Sequence, residues 1–582
     1  MRENIMTAAT LTVLVLYIFE RASSQGDRPV EVQNPSTELR DAVERYESDR
    51  NLLGRSYPIW MSSSWRERTR EFLNDWQERL ARTNFDSLSE DGRIDFLLFD
   101  NHLDYELRQL DIRAKGLEES RHFLPFADEV LLLEEERRNL RFIDGESAAK
   151  RLWRIGSQMD STRKALGDGN GGTKKTVAHR AARYVDEVRD ILRHWFEFYN
   201  GYDPLFTWWV GQPYHELDSL MREYASFIRD KFVGIKADDK TTIIGDPIGR
   251  EALMVELAHE MIPYTPDELI AIARKELSWC QAEMRLASNA LGYGDDWHAA
   301  LEHVKRQHVE PGKQTELIRD LAHEAVGFLK EHDLLTIPPL AEETWRMEML
   351  SPRQQLVSPF FLGGEVIQVS YPTNTMTHEQ KMMSMRGNNV HFARATVFHE
   401  LIPGHHLQGF MTERYKPYRS LFWTPFWVEG GALYWEMTFW DLDFPRTPEN
   451  RVGMLFWRMH RCARVIFSLS FHLGEMSPGD CVDMLVEKVG HERDNATAEV
   501  RRSFAGDYSP LYQCAYLIGA LQFRALQKEL VGTGRMAPKE FNNATYREGA
   551  IPIEMLRASL AHLPVAKSYV ASWRFAEELF GK

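Results

Sequence analysis

From residue 38 to about residue 335, apolar side chains recur at intervals of three and four positions, as at Phe72, Trp76 and Leu80. This spacing collects apolar residues on one face of an α-helix, so it predicts a series of amphipathic helices. The pattern changes over residues 363–372, where apolar and polar residues alternate and β-branched residues are frequent. Such alternation predicts a strand, and residues 345–350 predict a weaker second one. We therefore expect a mainly α protein with one small sheet.

Helical spacing resumes near Val390 and continues towards the end of the chain, with long helices predicted over residues 448–474, 477–489, 494–506 and 510–532. The helix that starts near Val390 should bend at Pro403, because proline lacks a backbone donor and clashes with the preceding turn. We interpret residues 25–335 as an N-terminal helical lobe and residues 336–582 as a catalytic lobe. The two lobes are expected to form one continuous domain.

Residues 1–24 have the pattern of an export signal. Arg2 precedes a nearly uninterrupted apolar run from Ile5 to Phe19, and small residues follow at positions 22–24. The run is about fifteen residues long, which is short of the roughly twenty that a membrane-spanning helix needs. We therefore expect a cleaved signal, an exported protein in the periplasm or outside the cell, and no stable membrane span after cleavage. An uncleaved anchor is the alternative.

Composition narrows the classes of partner. The chain is 43% hydrophobic and 27% charged, as in ordinary globular proteins, and carries a net charge of −15. It has no block of basic residues. Binding to nucleic acid needs clustered Lys and Arg, so we expect no nucleic-acid partner. The four Cys have spacings that match neither a zinc knuckle nor a redox pair.

One stretch has the residues of a metal-binding helix, namely His399-Glu400-Leu401-Ile402-Pro403-Gly404-His405-His406-Leu407-Gln408. In zinc peptidases two imidazoles bind the metal, and the carboxylate beside one of them polarises a water molecule. Other His-Glu pairs lack a second His on a neighbouring turn; they begin at His215, His259, His323, His378 and His491. The pair at His259 is a near twin that continues to Ile262-Pro263 and then lacks Gly-His.

The spacing departs from the usual H-E-x-x-H, in which two His lie four residues apart and about 40° apart around the helix axis. His405 is six residues after His399 and would point to the wrong side of a regular helix. His406 returns to the right face but lies roughly 10 Å along the axis. A bulge at Pro403-Gly404 that absorbs two residues would return His405 to the metal, so we favour His405 over His406. A kinked core helix with buried, hydrogen-bonded histidines is the alternative.

A third ligand is expected from the next helix. Glu429 and Glu436 are seven residues apart in an aromatic-rich stretch, so they face one way, two turns from each other. Either could bind zinc, and the other could accept a hydrogen bond from a ligating imidazole. Two solvated acids on an amphipathic helix would be the alternative, but carboxylates are rarely buried among Trp and Tyr without a partner.

Several segments together resemble a largely bacterial family, domain of unknown function 885, which is grouped with zincin-type metallopeptidases. These segments are residues 261–269, 399–408, 429–436, 491–502, 510–519 and 539–560, and the resemblance spans residues 40 to 575. It implies a mostly helical, zincin-like fold, a zinc site and hydrolysis of peptide bonds. By analogy with related carboxypeptidases, it also implies that Glu429 is the third ligand. Relatives often have Trp where this chain has Gly431, and we expect the glycine to open the pocket.

The implied chemistry assigns a role to each residue at the metal. With His399, His405 and Glu429 on Zn²⁺, the fourth position holds a water whose pKa the metal pulls towards neutrality. Glu400 lies next to a ligand and is expected to take that proton as general base, then to pass it to the leaving amine.

Further contacts are expected from the helix after residue 510. Tyr516, which stands where the family pattern also has Tyr, is the candidate donor to the oxyanion, with Tyr512 one turn earlier as its substitute. Both could instead be buried structural tyrosines. Arg524 is a candidate for binding a substrate carboxylate, against the alternative of a surface or helix-pairing role.

We therefore expect a zinc-dependent metallohydrolase that cleaves peptide bonds as a carboxypeptidase-like or oligopeptidase-like enzyme. An amidase acting on small non-peptide amides is one alternative. A catalytically silent binding protein with a zincin fold is the other, although silent sites usually lose the base or a ligand and this chain keeps Glu400 and its neighbours.

Overall fold

The structure is a computed structural model that describes residues 37–167, 172–236, 239, 242–355, 363–504 and 508–581. The predicted export signal, residues 1–24, lies outside the described residues. Glu38–Lys582 forms one compact unit. Its main hydrophobic core contains residues from both sides of the boundary predicted at residue 335, including Leu103, Leu329 and Phe392. The division into two lobes stays a prediction.

The chain up to the sheet is helical, as the spacing of apolar residues predicts. Its helices are α1 (Arg40–Ser56), α2 (Ser63–Ala81), α3 (Glu90–Ser120), α4 (Ala127–Arg138), α5 (Gly145–Leu166), α6 (Lys175–Tyr199), α7 (Pro204–Ile228), α8 (Gly249–His259), α9 (Pro266–Ala290), α10 (Trp297–Lys305), α11 (Gln314–Glu331) and α12 (Pro339–Thr344). Side chains of Asp144, Asp203 and Thr265 cap three of these helices by accepting from backbone N–H groups. Helices α4 to α7 enclose a second core around Trp195 and Tyr224.

The two predicted strands are confirmed. Strands β1 (Arg346–Met349) and β2 (Val366–Val369) form a parallel pair in which Arg346 lies opposite Val366. A short helix, α13 (Pro352–Gln355), follows β1. The buried side chains of Ile367 and Val369 pack with residues of the helix that begins at Val390, so the sheet lies against the predicted metal-binding helix.

The rest of the chain is again helical. Its helices are α14 (His378–Gly387), α15 (Val390–Glu400), α16 (His405–Thr412), α17 (Pro425–Asp441), α18 (Pro448–His472), α19 (Pro478–Met484), α20 (Arg493–Phe504), α21 (Tyr512–Leu530), α22 (Pro538–Arg547), α23 (Ile553–Leu560) and α24 (Phe575–Phe580). Short 3-10 segments occur at Phe85–Ser87, Arg121–Phe123 and Pro417–Phe422, and π-helical turns at Arg229–Val233 and Leu485–Val489. Across the described residues, no helix combines the length and apolar character needed to cross a bilayer.

Two glycines let α17 and α21 approach each other closely. A Cβ atom on Gly519 would lie 2.1 Å from the carbonyl oxygen of Phe426, and one on Gly430 would lie 2.5 Å from the Cα atom of Gly519. Any side chain at either position would therefore push the helices apart. This crossing brings the first turns of α21, with Tyr512, against the face of α17 that carries Glu429.

Candidate metal centre

The chain breaks its helix between the two candidate histidines. Helix α15 ends at Glu400 and α16 begins at His405, so the predicted bulge within one continuous helix is wrong in form. The N–H of Gly404 donates to the carbonyl oxygen of Phe398 at 2.9 Å. A Cβ atom on Gly404 would lie only 1.6 Å from the carbonyl oxygen of His399. Only glycine fits this turn, and the turn folds His405 back beside His399.

Three side chains converge on one point. The Nε2 atoms of His399 and His405 lie 3.5 Å and 3.2 Å from the same carboxylate oxygen, Oε2 of Glu429. One ligand atom from each residue lies within 4.8 Å of the others. Zinc binds nitrogen and carboxylate oxygen at about 2.0–2.2 Å, which puts neighbouring ligands of a tetrahedral ion roughly 3.3–3.5 Å apart. The two measured separations match that spacing.

One oxygen of the Glu429 carboxylate is left for a metal. Its Oε2 atom is buried and receives no hydrogen bond of regular geometry from the described residues, although both imidazole Nε2 atoms lie within 3.5 Å of it. Buried polar atoms of this kind are rare unless a water, an ion or a catalytic role accounts for them. Two imidazoles and one carboxylate are also the donor set of several catalytic zinc sites that keep one position open. The residues present therefore fit a zinc ion.

Hydrogen bonds fix the orientation of His399. Its Nδ1–H donates to Oε1 of Glu436 at 2.8 Å, and Arg461 donates to the same oxygen at 3.1 Å. The Nε2 lone pair of His399 is thereby left facing Glu429. Glu429 lies at the point of convergence, and Glu436 lies behind the imidazole of His399, where it can support a metal ligand. The sequence had left open which of the two acids takes which position.

A similar contact orients His405. Its Nδ1–H donates to Oε1 of Gln408 at 2.9 Å, and the amide nitrogen of Gln408 donates to the carbonyl oxygen of Val428 at 2.8 Å. A Cβ atom on Gly431 would lie 2.9 Å from that amide nitrogen. Gln408 thus lies in the space beside Gly431, and the expectation that this glycine opens the pocket stays a prediction.

His406 points away from the cluster. It is buried, and its Nε2–H donates to the carbonyl oxygen of Ala341 at 2.8 Å. The structure thus brings His405, and not His406, to His399 and Glu429.

The tyrosines of α21 lie on the opposite wall. The hydroxyl of Tyr512 donates to Oε1 of Glu429 at 2.5 Å, which leaves Oε2 directed at the imidazoles. The ring of Tyr516 lies nearly parallel to that of His399, with centroids 6.2 Å apart. The described residues offer the hydroxyl of Tyr516 no hydrogen bond. Tyr512 therefore holds a candidate ligand, whereas Tyr516 is buried beside His399.

Arg524 is not brought to the cluster. It lies three turns beyond Tyr512 on α21, about 18 Å along the axis, and its guanidinium pairs with Asp441 at 2.8 Å. Asp441 is the last residue of α17, at the end remote from Glu429. The helix-pairing role that the sequence left open describes this contact.

Electrostatics couple the histidines to the carboxylate. Burial lowers the pKa of His405, but the nearby charge of Glu429 outweighs it and the pKa rises to about 9. Burial likewise opposes the charge on His399, whose pKa is nevertheless raised by its contacts with Glu429 and Glu436. Burial raises the pKa of Glu429, yet the imidazolium of His405 holds it well below its usual value. Protons and a metal ion would compete for the same pocket.

Glu400 lies beside the cluster without joining it. Its Oε2 atom is 4.0 Å from Nε2 of His405, and its side chain is 12% exposed. Burial raises the pKa of Glu400, and the neighbouring histidines only partly reverse the shift. A Cβ atom on Gly363 would lie 2.2 Å from this Oε2, so the chain leading into β2 covers the carboxyl closely.

Sequence reasoning assigned no role to three residues that shape the cluster. Gln408 lies three positions after His405 on α16, a spacing that places the two on one helical face and could have indicated their contact. Arg461 and Gly363 come from distant parts of the chain. Nothing in their local pattern points to Glu436 or Glu400.

Comparison with known proteins supports the family and the fold. A family described as "Bacterial protein of unknown function (DUF885)" matches residues 57–560. A solved structure of a candidate lipoprotein of unknown function from Shewanella oneidensis is similar with a TM-score of 0.65 at 17% identity, covering 89% of this chain and 98% of that one. A candidate lipoprotein from Colwellia psychrerythraea gives a TM-score of 0.57 at 14% identity, covering 90% and 97%. No curated protein matches the sequence. At these identities the two structures are alike in fold alone.

Proposed function

The chain belongs to the DUF885 family, and we propose that this member is a zinc-dependent hydrolase that cleaves peptide bonds in a zincin-like site. The observation that carries the proposal is the convergence of His399, His405 and Glu429, with the Oε2 atom of Glu429 left without a hydrogen bond of regular geometry from the described residues. Zinc held there would supply a Lewis acid and lower the pKa of a water molecule.

The protein side chains have complementary tasks in this proposal. Glu400, beside His405 and largely shielded from solvent, takes the proton of the attacking water and passes it to the leaving nitrogen. Burial raises the pKa of Glu400 above its ordinary value, which makes its carboxylate a better proton acceptor. Tyr516 donates its hydroxyl to the oxygen of the scissile carbonyl as negative charge develops there.

We also propose that the protein is exported and acts on peptides. The apolar run from Ile5 to Phe19 supports export, and the names of the two similar solved structures, both candidate lipoproteins, are consistent with it. The tyrosine-rich wall beside Glu429 suits binding of a peptide through stacking and hydroxyl contacts. Carboxypeptidase-like and oligopeptidase-like cleavage differ in how far the substrate extends beyond this wall.

The test compares Glu400→Gln with Glu260→Gln, which alters the His-Glu pair of the near twin. Metal content is measured by plasma mass spectrometry, and hydrolysis with a peptide library read by mass. We expect both variants to retain zinc, and Glu400→Gln to lose about 10²- to 10⁴-fold in hydrolysis, while Glu260→Gln stays active.

Full activity in Glu400→Gln would refute the assigned mechanism. If zinc-loaded wild type binds peptides from the library but cleaves none of them, the hydrolase proposal would be rejected in favour of a binding protein with the same fold.

A further inference from the structure

A group of arginines lies beside the candidate metal centre and is not used by the proposed mechanism. Arg461 and Arg464 lie one turn apart on α18, within a stretch that is almost entirely buried, and Arg502 lies near the end of α20. The side chains of Arg461 and Arg464 are 5% and 7% exposed, and that of Arg502 is 15% exposed. Burying three cations is costly unless each is paired and hydrogen-bonded.

Two carboxylates face these three guanidinium groups. Arg461 donates to Glu436 at 3.1 Å. Arg464 and Arg502 share Glu499, with distances of 2.7 Å and 2.6 Å. Among the described residues, Arg464 and Arg502 therefore share one hydrogen-bonded carboxylate, whereas Arg461 has Glu436 and also lies near Glu400. An anion in this place would be attracted rather than repelled.

Donor atoms are left over as well. Nε of Arg461 and Nε of Arg502 are buried and find no acceptor in the described parts of the chain. Arg464 uses only its Nε, in the contact with Glu499. Glu499 already accepts from Arg464, from Arg502 and, at 3.0 Å, from the amide nitrogen of Gln513. The unused N–H groups have the fork geometry that suits a carboxylate.

The first link between this group and the metal centre runs through Tyr516. The guanidinium carbon of Arg464 lies 4.5 Å from the centroid of the Tyr516 ring. The same ring stacks alongside His399 with centroids 6.2 Å apart. Placed end to end, these two steps correspond to at most about three residues of extended chain, at about 3.3–3.6 Å per residue.

A second link runs through the other tyrosines. The guanidinium carbon of Arg502 lies 5.4 Å from the ring centroid of Tyr508, which stacks on Tyr512 at 4.3 Å. Tyr512 in turn donates to Glu429. Tyr508 and Tyr512 are only partly buried, so this wall is open to solvent on one side. The tyrosine rings therefore form a series of contacts between the arginines and the three candidate metal ligands.

We propose that Arg464 and Arg502 bind a carboxylate of the substrate, which makes the substrate a peptide with a free carboxylate one to three residues from the scissile bond. This inference rests on the proposed hydrolase function, because it assigns a substrate to it. The binding test below does not require the protein to hydrolyse the ligand. The carboxylate can be the C-terminus or an acidic side chain. Arg461 is assigned a different task, because its contact with Glu436 positions His399.

The competing explanation is an ion-pair network that only stabilises the fold around Glu499. It predicts that removing an arginine changes stability and leaves ligand preference unchanged. The two explanations therefore separate on whether affinity depends on the charge of the ligand.

The probes are benzoyl-Gly-Gly, its C-terminal amide, and benzoyl-Gly-Glu amide, which carries its carboxylate on a side chain. Binding is measured by titration calorimetry to Glu400→Gln protein, both loaded with zinc and after chelation. We expect a carboxylate probe to bind about 10- to 100-fold more tightly than the neutral amide, the range for charge-assisted hydrogen bonds. Tighter binding of benzoyl-Gly-Gly would identify the C-terminus as the source of the carboxylate, and tighter binding of benzoyl-Gly-Glu amide would identify an acidic side chain.

Arg502→Gln should remove most of that preference and leave affinity for the neutral amide unchanged. Arg464→Lys, which keeps the charge opposite Glu499, should reduce it even if a neutral substitution fails to fold. Arg574→Gln is the matched control, since Arg574 also stacks on a tyrosine, Tyr264, and pairs with a glutamate, Glu268.

Equal affinity for the three probes would overturn the subsite. So would a carboxylate preference that persists in both arginine variants and disappears only on chelation, because the metal would then be the anion's partner. A charge preference that depends on the arginines, in a protein that hydrolyses nothing, would uphold the subsite and reject the hydrolase.

Discussion

Two stretches of this chain begin alike and end in different environments. Residues 259–263 and 399–403 each place a His-Glu pair at the end of a helix and continue to Ile-Pro. In the first, burial lowers the pKa of His259 to about 4 and raises that of Glu260 to about 8. In the second, burial acts in the same direction on His399, but its contacts with Glu429 and Glu436 reverse the shift and raise the pKa.

The residues around each pair explain the contrast. The ring of Tyr105 stacks on His259 at 3.8 Å, and among the described residues no carboxylate lies within ion-pair distance of that imidazole. Where the second stretch has Gly404, the first has Tyr264, whose hydroxyl accepts from the N–H of Ala576. The shared His-Glu pair is therefore not sufficient to gather the three candidate ligands. The glycine turn and the acids of α17 make the difference.

Of the variants considered, Glu429→Gln should most strongly reduce the difference between the two stretches. Without the carboxylate charge, the pKa of His405 should fall in the direction seen at His259. Zinc affinity should fall by about 100- to 1,000-fold, roughly one ligand's share of the total binding free energy of a structural zinc site. Competition with a fluorescent chelator measures it.

Glu256→Gln is the matched control, since Glu256 is buried and accepts from Tyr105 as Glu429 accepts from Tyr512. Unchanged zinc affinity in Glu429→Gln would show that this carboxylate is not a ligand.

Glu436→Gln should have a smaller effect on the same assay. Gln can still accept the hydrogen bond from Nδ1 of His399, but it removes the charge that holds the imidazole and its partner Arg461. We expect zinc affinity to fall about 10- to 100-fold, as for other residues that support a metal ligand. A loss greater than that of Glu429→Gln would exchange the roles of the two acids.

Glu260→Gln tests the environment of the first stretch through the pH dependence of stability. The folded pKa of Glu260, about 8, lies above the ordinary value of 4.5, because burial penalises its charge. The unfolded chain releases this proton first, so the acid lowers stability by about 1.4 kcal/mol per pH unit as pH rises from about 4.5 to 8.

The free energy of unfolding of Glu260→Gln should therefore increase relative to that of the wild type by about 1.4 kcal/mol per pH unit between about pH 4.5 and 8. Below pH 4 the two proteins should be equally stable. Urea unfolding at several pH values measures the gap. A gap that does not change with pH would mean that Glu260 titrates normally.

Tyr512→Phe should produce the smallest change. It removes one hydrogen bond to Oε1 of Glu429 and leaves the three candidate ligands in place. Zinc affinity should fall about 2- to 10-fold, corresponding to about 0.5–1.5 kcal/mol for one hydrogen bond. Tyr105→Phe, at the near twin, should leave zinc affinity within experimental error, and an equal loss in both variants would point to a general effect on packing.

Much of the fold follows from local patterns. The start of α15 at Val390, the two strands and the long helices after residue 448 are set by the spacing of apolar residues and by proline, and they occur where the sequence predicts them. The form of the turn at Pro403-Gly404 does not follow in the same way. It depends on how closely Gly404 approaches the carbonyl oxygen of His399, which spacing along the chain does not reveal.

The candidate site likewise contains residues that local patterns predict and residues whose position depends on packing. The motif favours His399 and His405, and the aromatic stretch narrows the third residue to Glu429 or Glu436, because those contacts are encoded in two short segments; the choice of Glu429 comes from the family resemblance. Arg524 and the arginine group depend on which end of α21 and which face of α18 meet the centre. Arg464 and Arg502 lie in segments whose local pattern is that of a core helix and a charged helix, so only the packing reveals their position beside Tyr516.

The proposed metal centre is tested by the number of zinc ions bound per chain in wild type, His405→Ala and His406→Ala, counted by native mass spectrometry after dialysis against a weak chelator. We expect one ion in wild type and in His406→Ala, and none in His405→Ala. One ion retained by His405→Ala but lost by His406→Ala would contradict the proposed metal centre.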